Sequence, residues 1–293
     1  DQTKCIQCNQ CAYVCPHATI RPFAMTEDEA AAAPEATRTL DAMGPKAKGM
    51  KFTMAVSPLD CMGCTNCVKV CPKGALEMVP TEQEMDQQPV WDYMVENVSE
   101  KKELIAANVK GSQFKTPLLE YSGACAGCGE TPYAKLVTQL FGDRMYIANA
   151  TGCSSIWGGS APSTPYTVNK KGQGPAWSNS LFEDNAEFGY GMFLANAQIR
   201  ARLEENVNVL AECDKAGVAE AAKAWIDTKN DSGANMAASE ALIKLLEDTA
   251  FDKDCCKAAA EAILKDQDYL HKKSIWIFGG DGWAYDIGFG GLD

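Results

Sequence analysis

The sequence predicts two domains of different class, an α+β domain at residues 1–100 and an α/β domain with a mostly parallel sheet at residues 101–293. Two observations predict this division. One cysteine pattern occurs twice in the first domain, and a polar stretch at 81–116 follows it. From about residue 117 onward, short apolar strands alternate with helical patterns, which is typical of layered α/β proteins with parallel strands.

The repeated pattern is Cys-x-x-Cys-x-x-Cys-x-x-x-Cys-Pro, which runs from Cys5 to Pro16 and again from Cys61 to Pro72. Two-cluster ferredoxins hold [4Fe–4S] clusters with this spacing. Three thiolates on a tight loop cap three irons of one cube, and the fourth reaches across to the other cube. We therefore assign Cys5, Cys8, Cys11 and Cys71 to the first cluster, and Cys61, Cys64, Cys67 and Cys15 to the second.

Structural zinc or disulfides are the alternatives for these cysteines. Zinc usually takes separated pairs of ligands in a closed tetrahedron, so two complete copies of the longer pattern favour iron–sulfur clusters. The first domain is thus predicted to be ferredoxin-like, with an insert at about 21–50 that contains a short helix and a loop. Within it, residues 51–56 alternate in polarity and predict a strand.

Composition and charge limit the classes of function that we expect for this protein. The net charge is −12, with 46% apolar and 23% charged residues, which predicts a globular protein with neither nucleic acid nor an anionic membrane as partner. Fourteen cysteines predict thiolate ligands in a reducing compartment, so we expect a cytoplasmic protein. The chain starts four residues before a cluster ligand and stops after a strand–turn motif, so we expect an internal piece of a longer polypeptide.

The second domain shows two apolar strands, at 144–150 and 274–280, each followed by a glycine-containing turn. Thr131 and Pro132 begin a helical pattern with a cap and a proline in the first turn. Residues 185–272 are mostly helical, and we predict a helical insertion at about 204–272. Its apolar stripes consist of Val218, Ala222, Trp225 and Ile226, and of Leu242, Leu245 and Leu246.

Three further cysteines predict a third metal site. Cys125 and Cys128 lie in a glycine-rich loop before a helix, and Cys153 follows the strand at 144–150. Ligand-binding loops gather beyond the carboxyl ends of parallel strands, so these thiolates suggest a third cluster that lacks one ligand. A thioredoxin-like redox pair at Cys125 and Cys128, or a zinc site short of one ligand, are the alternatives.

The segment after the strand at 274–280 contains Gly280-Asp281-Gly282-Trp283. Glycines allow close approach of a ligand to the backbone, and Asp281 could hold Mg²⁺ together with phosphate groups. A simple turn explains the same residues. Helix capping alone explains Asp184 or Asn185. We interpret Cys213, Cys255 and Cys256 as packing cysteines because they have no ligand spacing with the others.

Taken together, these motifs resemble the single-chain pyruvate:ferredoxin (flavodoxin) oxidoreductases. The resemblance covers essentially the whole chain. It rests on the two cysteine runs and on four later segments: Tyr121-Ser122-Gly123-Ala124-Cys125-Ala126-Gly127-Cys128-Gly129-Glu130, Ala150-Thr151-Gly152-Cys153-Ser154-Ser155, Trp177 to Gly189, and Gly280 to Gly288.

The resemblance implies CoA-dependent oxidative decarboxylation of a 2-oxo acid, with thiamine diphosphate as electron sink and single-electron transfer to three [4Fe–4S] clusters. It implies that residues 101–293 are an incomplete thiamine diphosphate-binding α/β domain. Cys125, Cys128 and Cys153 would ligate the third cluster, whose fourth ligand is expected beyond Asp293. Glu130 and Cys153 would line the cofactor. Gly280, Asp281, Gly282 and Trp283 would hold its diphosphate, with Asp281 on Mg²⁺.

The resemblance further implies pyruvate and CoA as substrates, ferredoxin or flavodoxin as electron acceptor, and a homodimer. No catalytic residue is assigned within this chain, because the activating glutamate is expected upstream of Asp1. Two rival functions remain. One is an electron-transfer polyferredoxin without thiamine chemistry, and the other is a sister enzyme that acts on a different 2-oxo acid.

Overall fold

The structure, a computed structural model, describes residues 1–160, 163–182, 184–280 and 283. The chain forms two compact units. Unit 1 comprises Asp1–Asp143 and Thr151–Pro175, and unit 2 comprises Arg144–Ala150 and Ala176–Asp293. The chain therefore passes from unit 1 to unit 2 for a single strand, returns to unit 1, and then enters unit 2 again. The domain boundary at residue 100 stays a prediction.

Unit 1 contains an antiparallel sheet in which β3 lies between β1 and β2. These strands are β1 (Ile20–Met25), β2 (Leu40–Asp41) and β3 (Lys51–Val56). The strand predicted at 51–56 is confirmed and forms the centre of the sheet. The register pairs Ile20 with Val56 and Met25 with Lys51. Antiparallel strands with packed helices are the α+β arrangement that the sequence predicted for this part of the chain.

The α-helices of unit 1 within the described residues are α1 (Gln10–Tyr13), α2 (Glu27–Ala31), α3 (Asn66–Val70), α4 (Gln87–Asn97), α5 (Val109–Ser112), α6 (Thr131–Phe141) and α7 (Cys153–Ser155). α4 packs against β3. Its residues Trp91 and Met94 are almost completely buried, and burial of each such side chain stabilises the fold by about 1.5–3 kcal/mol. The Phe23 ring meets the Trp91 ring edge-on, with 6.4 Å between centroids.

Glu29 fixes α2 to the segment that follows α4. Thr26 Oγ1 accepts a hydrogen bond from the Glu29 amide, and the Glu29 carboxylate accepts one from the Thr26 amide, which is a capping box. Lys101 Nζ donates to Glu29 Oε2 at 2.6 Å, and the Ser99 hydroxyl donates to Oε1 at 2.7 Å. Burial opposes ionisation of this carboxyl, but the donors outweigh it and lower the pKa of Glu29 to about 2.

Lys135 on α6 is buried, with 2% of its surface exposed, and its ammonium group joins α6 to the first cysteine run. Lys135 Nζ donates hydrogen bonds to the carbonyl oxygens of Ala12, Cys15 (3.1 Å) and Tyr13 (3.3 Å). Carbonyls at a helix end lack part of their regular helical hydrogen bonding, and Lys135 adds a charged donor to the carbonyls at the end of α1. Burial lowers the pKa of Lys135. Burial opposes ionisation of the Cys15 thiol, but the Lys135 ammonium helps to lower the pKa of Cys15.

Unit 2 contains a parallel sheet with the order β5–β4–β6. These strands are β4 (Met145–Ala150), β5 (Ala176–Ser180) and β6 (Ser274–Phe278). The predicted strands at 144–150 and 274–280 and the parallel sheet are confirmed, whereas β5 was not predicted because its residues are mostly polar or small. Parallel pairing brings the carboxyl ends of all three strands to one edge. That edge carries the turns that the sequence assigned to ligand binding.

Four helices complete unit 2 within the described residues: α8 (Asn185–Ala211), α9 (Ala216–Thr228), α10 (Ser232–Asp248) and α11 (Asp254–Lys265). α8 packs against both β4 and β6, and its later turns pack against α9 and α11. The two predicted apolar stripes are confirmed, since Val218, Ala222, Trp225, Leu242 and Leu246 are buried. In the described ranges, no helix has an apolar stretch of the length that a bilayer crossing requires.

Replacing Lys135 by Met should loosen the loop between Cys11 and Cys15. The change removes a buried charge together with its hydrogen bonds to three carbonyls, which should cost about 2–4 kcal/mol of local stability. We expect faster hydrogen exchange at residues 10–16 and faster release of iron to a chelator. Lys170 offers a matched control, because its exposed ammonium donates to a single carbonyl, that of Glu96. Equal effects of Lys135→Met and Lys170→Met would contradict the assigned role.

Glu29→Gln should destabilise the attachment of α2 in a pH-dependent way. A carboxyl whose pKa is lowered from 4.5 to about 2 on folding contributes about 2–3 kcal/mol at neutral pH. This contribution is complete above pH 4.5 and is lost as the pH falls towards 2. The hydrogen-exchange rates of residues 26–31 should therefore differ between variant and wild type at pH 7. This difference should be smaller at pH 4. Glu27→Gln, in the same helical turn, is the control, and a difference that does not change with pH would refute the assignment.

Candidate functional site

A cavity of about 300 Å³ in unit 1 is lined by all eight cysteines of the two runs. The first run includes α1, the second includes α3, and these two short helices pack against each other. All eight cysteines are free thiols. The fold therefore brings together the residues that the sequence assigned to the first two clusters, although the two runs are more than forty residues apart in the sequence.

The backbone of both runs turns sharply at non-glycine residues. Gln7 has φ 54° and Thr65 has φ 66°, values in the left-handed region that few non-glycine residues adopt. Such reversals keep cysteines that are three positions apart on the same side of the loop. Two amides point at sulfur: the Gln7 amide donates to Cys5 Sγ at 3.4 Å, and the Ala75 amide donates to Cys71 Sγ at 3.3 Å. Hydrogen bonds to cluster sulfurs are among the features that set cluster potentials.

The thiols of the first predicted ligand set influence one another. Burial raises the pKa of Cys5, and the neighbouring Cys8 and Cys71 raise it further. Burial raises the pKa of Cys11 to about 12, with smaller effects from Cys5, Cys67 and Cys8. Cys71 thus lies beside the first run although it belongs to the second. This proximity is compatible with the predicted crossed ligand set, and the assignment of each cysteine to a cluster stays a prediction.

The second predicted set shows the same arrangement. Burial raises the pKa of Cys67 to about 11, and Cys15, Cys61 and Cys64 raise it further. Cys15 therefore lies beside the second run although it belongs to the first. Thiols with raised pKa values lose their protons when a cation binds. Four thiols around one space, when deprotonated, fit a positively charged cluster core.

The spread of the sulfurs distinguishes a cluster from a single zinc ion. Four thiolates on one zinc lie about 3.8 Å apart, because each Zn–S bond is about 2.3 Å long. In the described part of the chain, no three of the eight thiols lie within 4.8 Å of one another. A four-iron cube holds its ligands at separate corners and therefore spaces them more widely. The donor set therefore fits [4Fe–4S] clusters better than a single zinc ion at each set.

The loop that carries Cys125 and Cys128 packs against the second run. The Cys128 amide donates to the Cys125 carbonyl at 3.0 Å, which closes a tight turn around Gly127. Gly127 has φ 77°, and a β-carbon placed there would lie 3.5 Å from Cys64 Cβ. His17 is buried, and its Nδ1 lies 3.1 Å from the Ser122 carbonyl oxygen. The loop is therefore held close to a predicted ligand of the second cluster.

Cys153 begins α7, in the part of unit 1 that follows β4. Cys153 and Cys125 are exposed, and Cys128 is half-buried. All three thiols are therefore accessible to a ligand that the chain itself does not supply. Their convergence on a third cluster stays a prediction.

Glu130, predicted to line the cofactor, is the residue before the first turn of α6 and lies near two aromatic residues. Trp157 Nε1 donates to Glu130 Oε2 at 3.4 Å, and the Trp157 ring lies 6.2 Å from the Tyr166 ring. The hydroxyl group of Tyr166 is buried and has no partner among the described residues. Burial raises the pKa of Tyr166, and the Glu130 carboxylate raises it further. A ligand beside Glu130 would therefore meet a hydroxyl donor with an open hydrogen-bonding position.

The carboxyl edge of the unit 2 sheet is held by Asn185. Its side-chain amide donates to the carbonyls of Ala148 (3.2 Å) and Phe278 (2.8 Å), at the ends of β4 and β6. The helix cap that the sequence suggested at Asp184 or Asn185 is present by position but not by a side-chain hydrogen bond from Asp184. Asp184 is the N-terminal cap residue of α8, but its carboxylate accepts a hydrogen bond from Ser180 instead of from the helix.

The two glycines of the turn after β6 have different surroundings among the described residues. A β-carbon at Gly279 would lie 2.4 Å from the Trp283 ring, so only glycine permits this approach. At Gly280, no described atom lies within 4 Å of the β-carbon position. Trp283 is buried, and its Nε1 has no partner among the described residues. Asp281 and Gly282, the predicted Mg²⁺ and diphosphate positions, lie outside the described residues.

Sequence reasoning missed several residues that organise these sites. Lys135, Trp157, Tyr166 and Asn185 all carry polar groups that are buried in the fold. A charged lysine within the apolar face of a predicted helix was the one signal that was available for Lys135. Nothing local indicated the partners of the other three, because these partners lie far away in the sequence.

The chain was compared with known proteins. Residues 4–75 match the family model described as "4Fe-4S dicluster domain". The chain is 54% identical to the pyruvate:ferredoxin oxidoreductase of Moorella thermoacetica and 52% identical to the pyruvate-flavodoxin oxidoreductase of Klebsiella pneumoniae, in both cases over 99% of this chain. It is 49% identical, again over 99% of its length, to the mitochondrial pyruvate dehydrogenase [NADP(+)] of Euglena gracilis.

These alignments cover 25%, 24% and 16% of the lengths of the three relatives, respectively. The chain thus spans a quarter or less of the proteins it matches. Within that span, the identity extends over both units, beyond the residues matched by the dicluster model. Along its whole length, the chain therefore matches a segment of the pyruvate:ferredoxin and pyruvate-flavodoxin oxidoreductases, and its residues 4–75 match a 4Fe-4S dicluster domain.

Proposed function

We propose that this chain is the electron-conducting part of an enzyme that oxidises pyruvate in the presence of CoA to an acyl-CoA and CO₂. Unit 1 would conduct the electrons through its iron–sulfur clusters, and unit 2 would hold the diphosphate end of thiamine diphosphate. The observation that carries this proposal is the cavity lined by the cysteines of both runs, with Cys71 beside the first run and Cys15 beside the second. The names of the relatives support pyruvate as the substrate.

The proposed electron path runs from the third cluster to the two clusters in the cavity. Cys125, Cys128 and Cys153 would hold the third cluster, with one further ligand from outside this chain. Support comes from the Gly127 turn, whose backbone lies against Cys64. A cluster on this turn would therefore lie next to the cluster held by Cys61, Cys64, Cys67 and Cys15. Electron transfer requires such proximity, and loop packing supplies it without any movement of the chain.

Residues at the end of β6 would hold the cofactor. When bound, thiamine diphosphate supplies the electron sink for decarboxylation. Gly280, Asp281, Gly282 and Trp283 would bind its diphosphate, with Asp281 on Mg²⁺, a cation that one or two carboxylates plus phosphates commonly hold. Two observations on the described residues support this assignment: none of their atoms lies within 4 Å of the β-carbon position of Gly280, and the buried donor of Trp283 has no partner among them. The roles of Glu130 and Cys153 in lining the cofactor stay predictions from the resemblance.

We propose ferredoxin or flavodoxin as the electron acceptor, by analogy with the names of the relatives. A homodimer and a cytoplasmic location stay predictions from the sequence. Two rivals make different predictions. A polyferredoxin would carry the clusters but retain no thiamine diphosphate, and a sister enzyme would retain the cofactor but prefer another 2-oxo acid.

Cys11→Ala should remove one cluster from the cavity. Cys11 is a predicted ligand of the first cluster only, and each cluster contains four irons. After anaerobic reconstitution of the full chain, we expect the variant to hold about four irons fewer than wild type. Cys255→Ser is the matched control because Cys255 is exposed in α11 and belongs to no predicted cluster. Zinc in place of iron, or an unchanged iron content, would refute the assignment.

Asp281→Ala in the intact enzyme should abolish retention of thiamine diphosphate, because Mg²⁺ and the diphosphate would lose their carboxylate ligand. Cofactor content after gel filtration measures this loss. The iron content should stay unchanged. In addition, pyruvate with CoA should bleach the iron–sulfur absorbance of wild type but not that of the variant.

Asp227→Ala, at an exposed position of α9, is the control for this experiment. Unchanged cofactor retention in Asp281→Ala would show that the turn is only structural. Absence of thiamine diphosphate from the wild-type enzyme would favour the polyferredoxin. Bleaching by 2-oxoglutarate instead of pyruvate would favour the sister enzyme.

A further inference from the structure

Unit 2 contains a group of potential metal ligands that the cysteine runs do not account for. Cys213 Sγ, Cys256 Sγ and a carboxylate oxygen of Asp214 all lie within 4.8 Å of one another. Among the described residues, no other three side chains of Cys, His, Asp or Glu meet so closely. The interpretation of Cys213 and Cys256 as packing cysteines, which the sequence suggested, is therefore incomplete.

The fold assembles this group from two separate helix ends. Cys213 and Asp214 follow the last turn of α8, and Cys256 lies in the first turn of α11. α8 packs against α11, so the three residues meet although 42 positions separate Asp214 from Cys256. No short sequence motif records this proximity, because each half of the group contributes only one or two residues.

The chemistry of the group suits a thiophilic divalent ion. Zinc binds cysteine sulfur at about 2.3 Å and carboxylate oxygen at about 2.0–2.2 Å in tetrahedral sites. The two thiols are buried, with 9% and 3% of the residue surfaces exposed, while Asp214 is exposed. An ion at this position would thus be shielded on the sulfur side and open to solvent on the carboxylate side.

The alternative explanations account for this group only in part. Asp214 also lies 3.5 Å from Lys253 Nζ, but both side chains are about half exposed, and such pairs contribute at most about 1 kcal/mol. Hydrophobic packing explains the burial of the two thiols but not the carboxylate beside them.

We propose that Cys213, Asp214 and Cys256 form a Zn²⁺ site with a water molecule in the fourth position. Binding releases the two thiol protons, and the Asp214 carboxylate turns from Lys253 to the ion. The site would fasten the end of α8 to the start of α11. Because α8 contains 27 residues, its two ends lie about 40 Å apart. The site is therefore remote from the Asn185 end of α8, and the proposal does not depend on the proposed function.

The test uses the full chain with its iron–sulfur clusters loaded, under anaerobic and reducing conditions. Zn²⁺ is titrated against a competing chelator, and Co²⁺ serves as a spectroscopic substitute whose absorbance reports thiolate ligands. We expect Cys256→Ser to lower the affinity by at least the roughly 100-fold that can follow loss of a supporting residue around a metal site. Asp214→Asn, at an exposed position that tolerates substitution, should lower it about tenfold.

Two variants serve as matched controls. Cys255→Ser alters the neighbouring exposed thiol, whose sulfur lies 3.9 Å from that of Cys256. Asp252→Asn alters a nearby carboxylate that pairs with Lys215. Both should bind one Zn²⁺ with nearly the affinity of wild type, and Zn²⁺ should raise their melting temperatures as in wild type. Equal affinity in Asp214→Asn, Cys256→Ser and wild type, or an equal loss in Cys255→Ser, would overturn the three-ligand site.

Discussion

The buried ammonium group of Lys135 is the interaction on which unit 1 depends. Burial of a lysine is costly unless its charge is compensated, and here three backbone carbonyls and the Cys15 thiol surround it. These partners lie between Cys11 and Cys15, the two cysteines of the first run that are assigned to different clusters. Lys135 therefore fixes the short segment whose geometry decides where each of the two sulfurs points. It also attaches α6, and with it the Cys125–Cys128 loop, to the cysteine runs.

Crowding of thiols is the second constraint, and it explains why the cavity suits a metal cluster. The pKa values of Cys11 and Cys67 are raised to about 12 and about 11, first by burial and then by neighbouring thiols. The eight thiols that line the cavity bind a cation only when their protons leave. Iron would supply the compensating charge, and the backbone amides of Gln7 and Ala75 donate hydrogen bonds to the sulfurs of Cys5 and Cys71. The polypeptide thus forms the cavity, and the bound metal would balance the negative charge of its thiolates.

In unit 2, the corresponding constraint is the support of the carboxyl edge of the parallel sheet. Asn185 ties the ends of β4 and β6 together through two hydrogen bonds, and Gly189 lets α8 approach β6 so closely that a β-carbon there would lie 2.5 Å from Ile277. The edge is thereby held from one side by a helix. The turn at Gly279 and Gly280 lies at the same edge, with the buried indole of Trp283 packed on it. A binding loop benefits from this support, since precise sites require rigid surroundings.

The sequence predicted those parts of the structure that depend on residues close together in the chain. Cysteines three residues apart followed by proline predict a cluster loop, alternation predicts β3, and apolar spacing predicts α9 and α10. The missed features join residues that are far apart, such as Lys135 with Cys15, Asn185 with Phe278, and Cys213 with Cys256. Their partners are chosen by tertiary packing, which single residues do not encode. β5 was missed for a related reason: its polar residues form a strand because β4 offers a free edge for pairing, not because of their own β propensity.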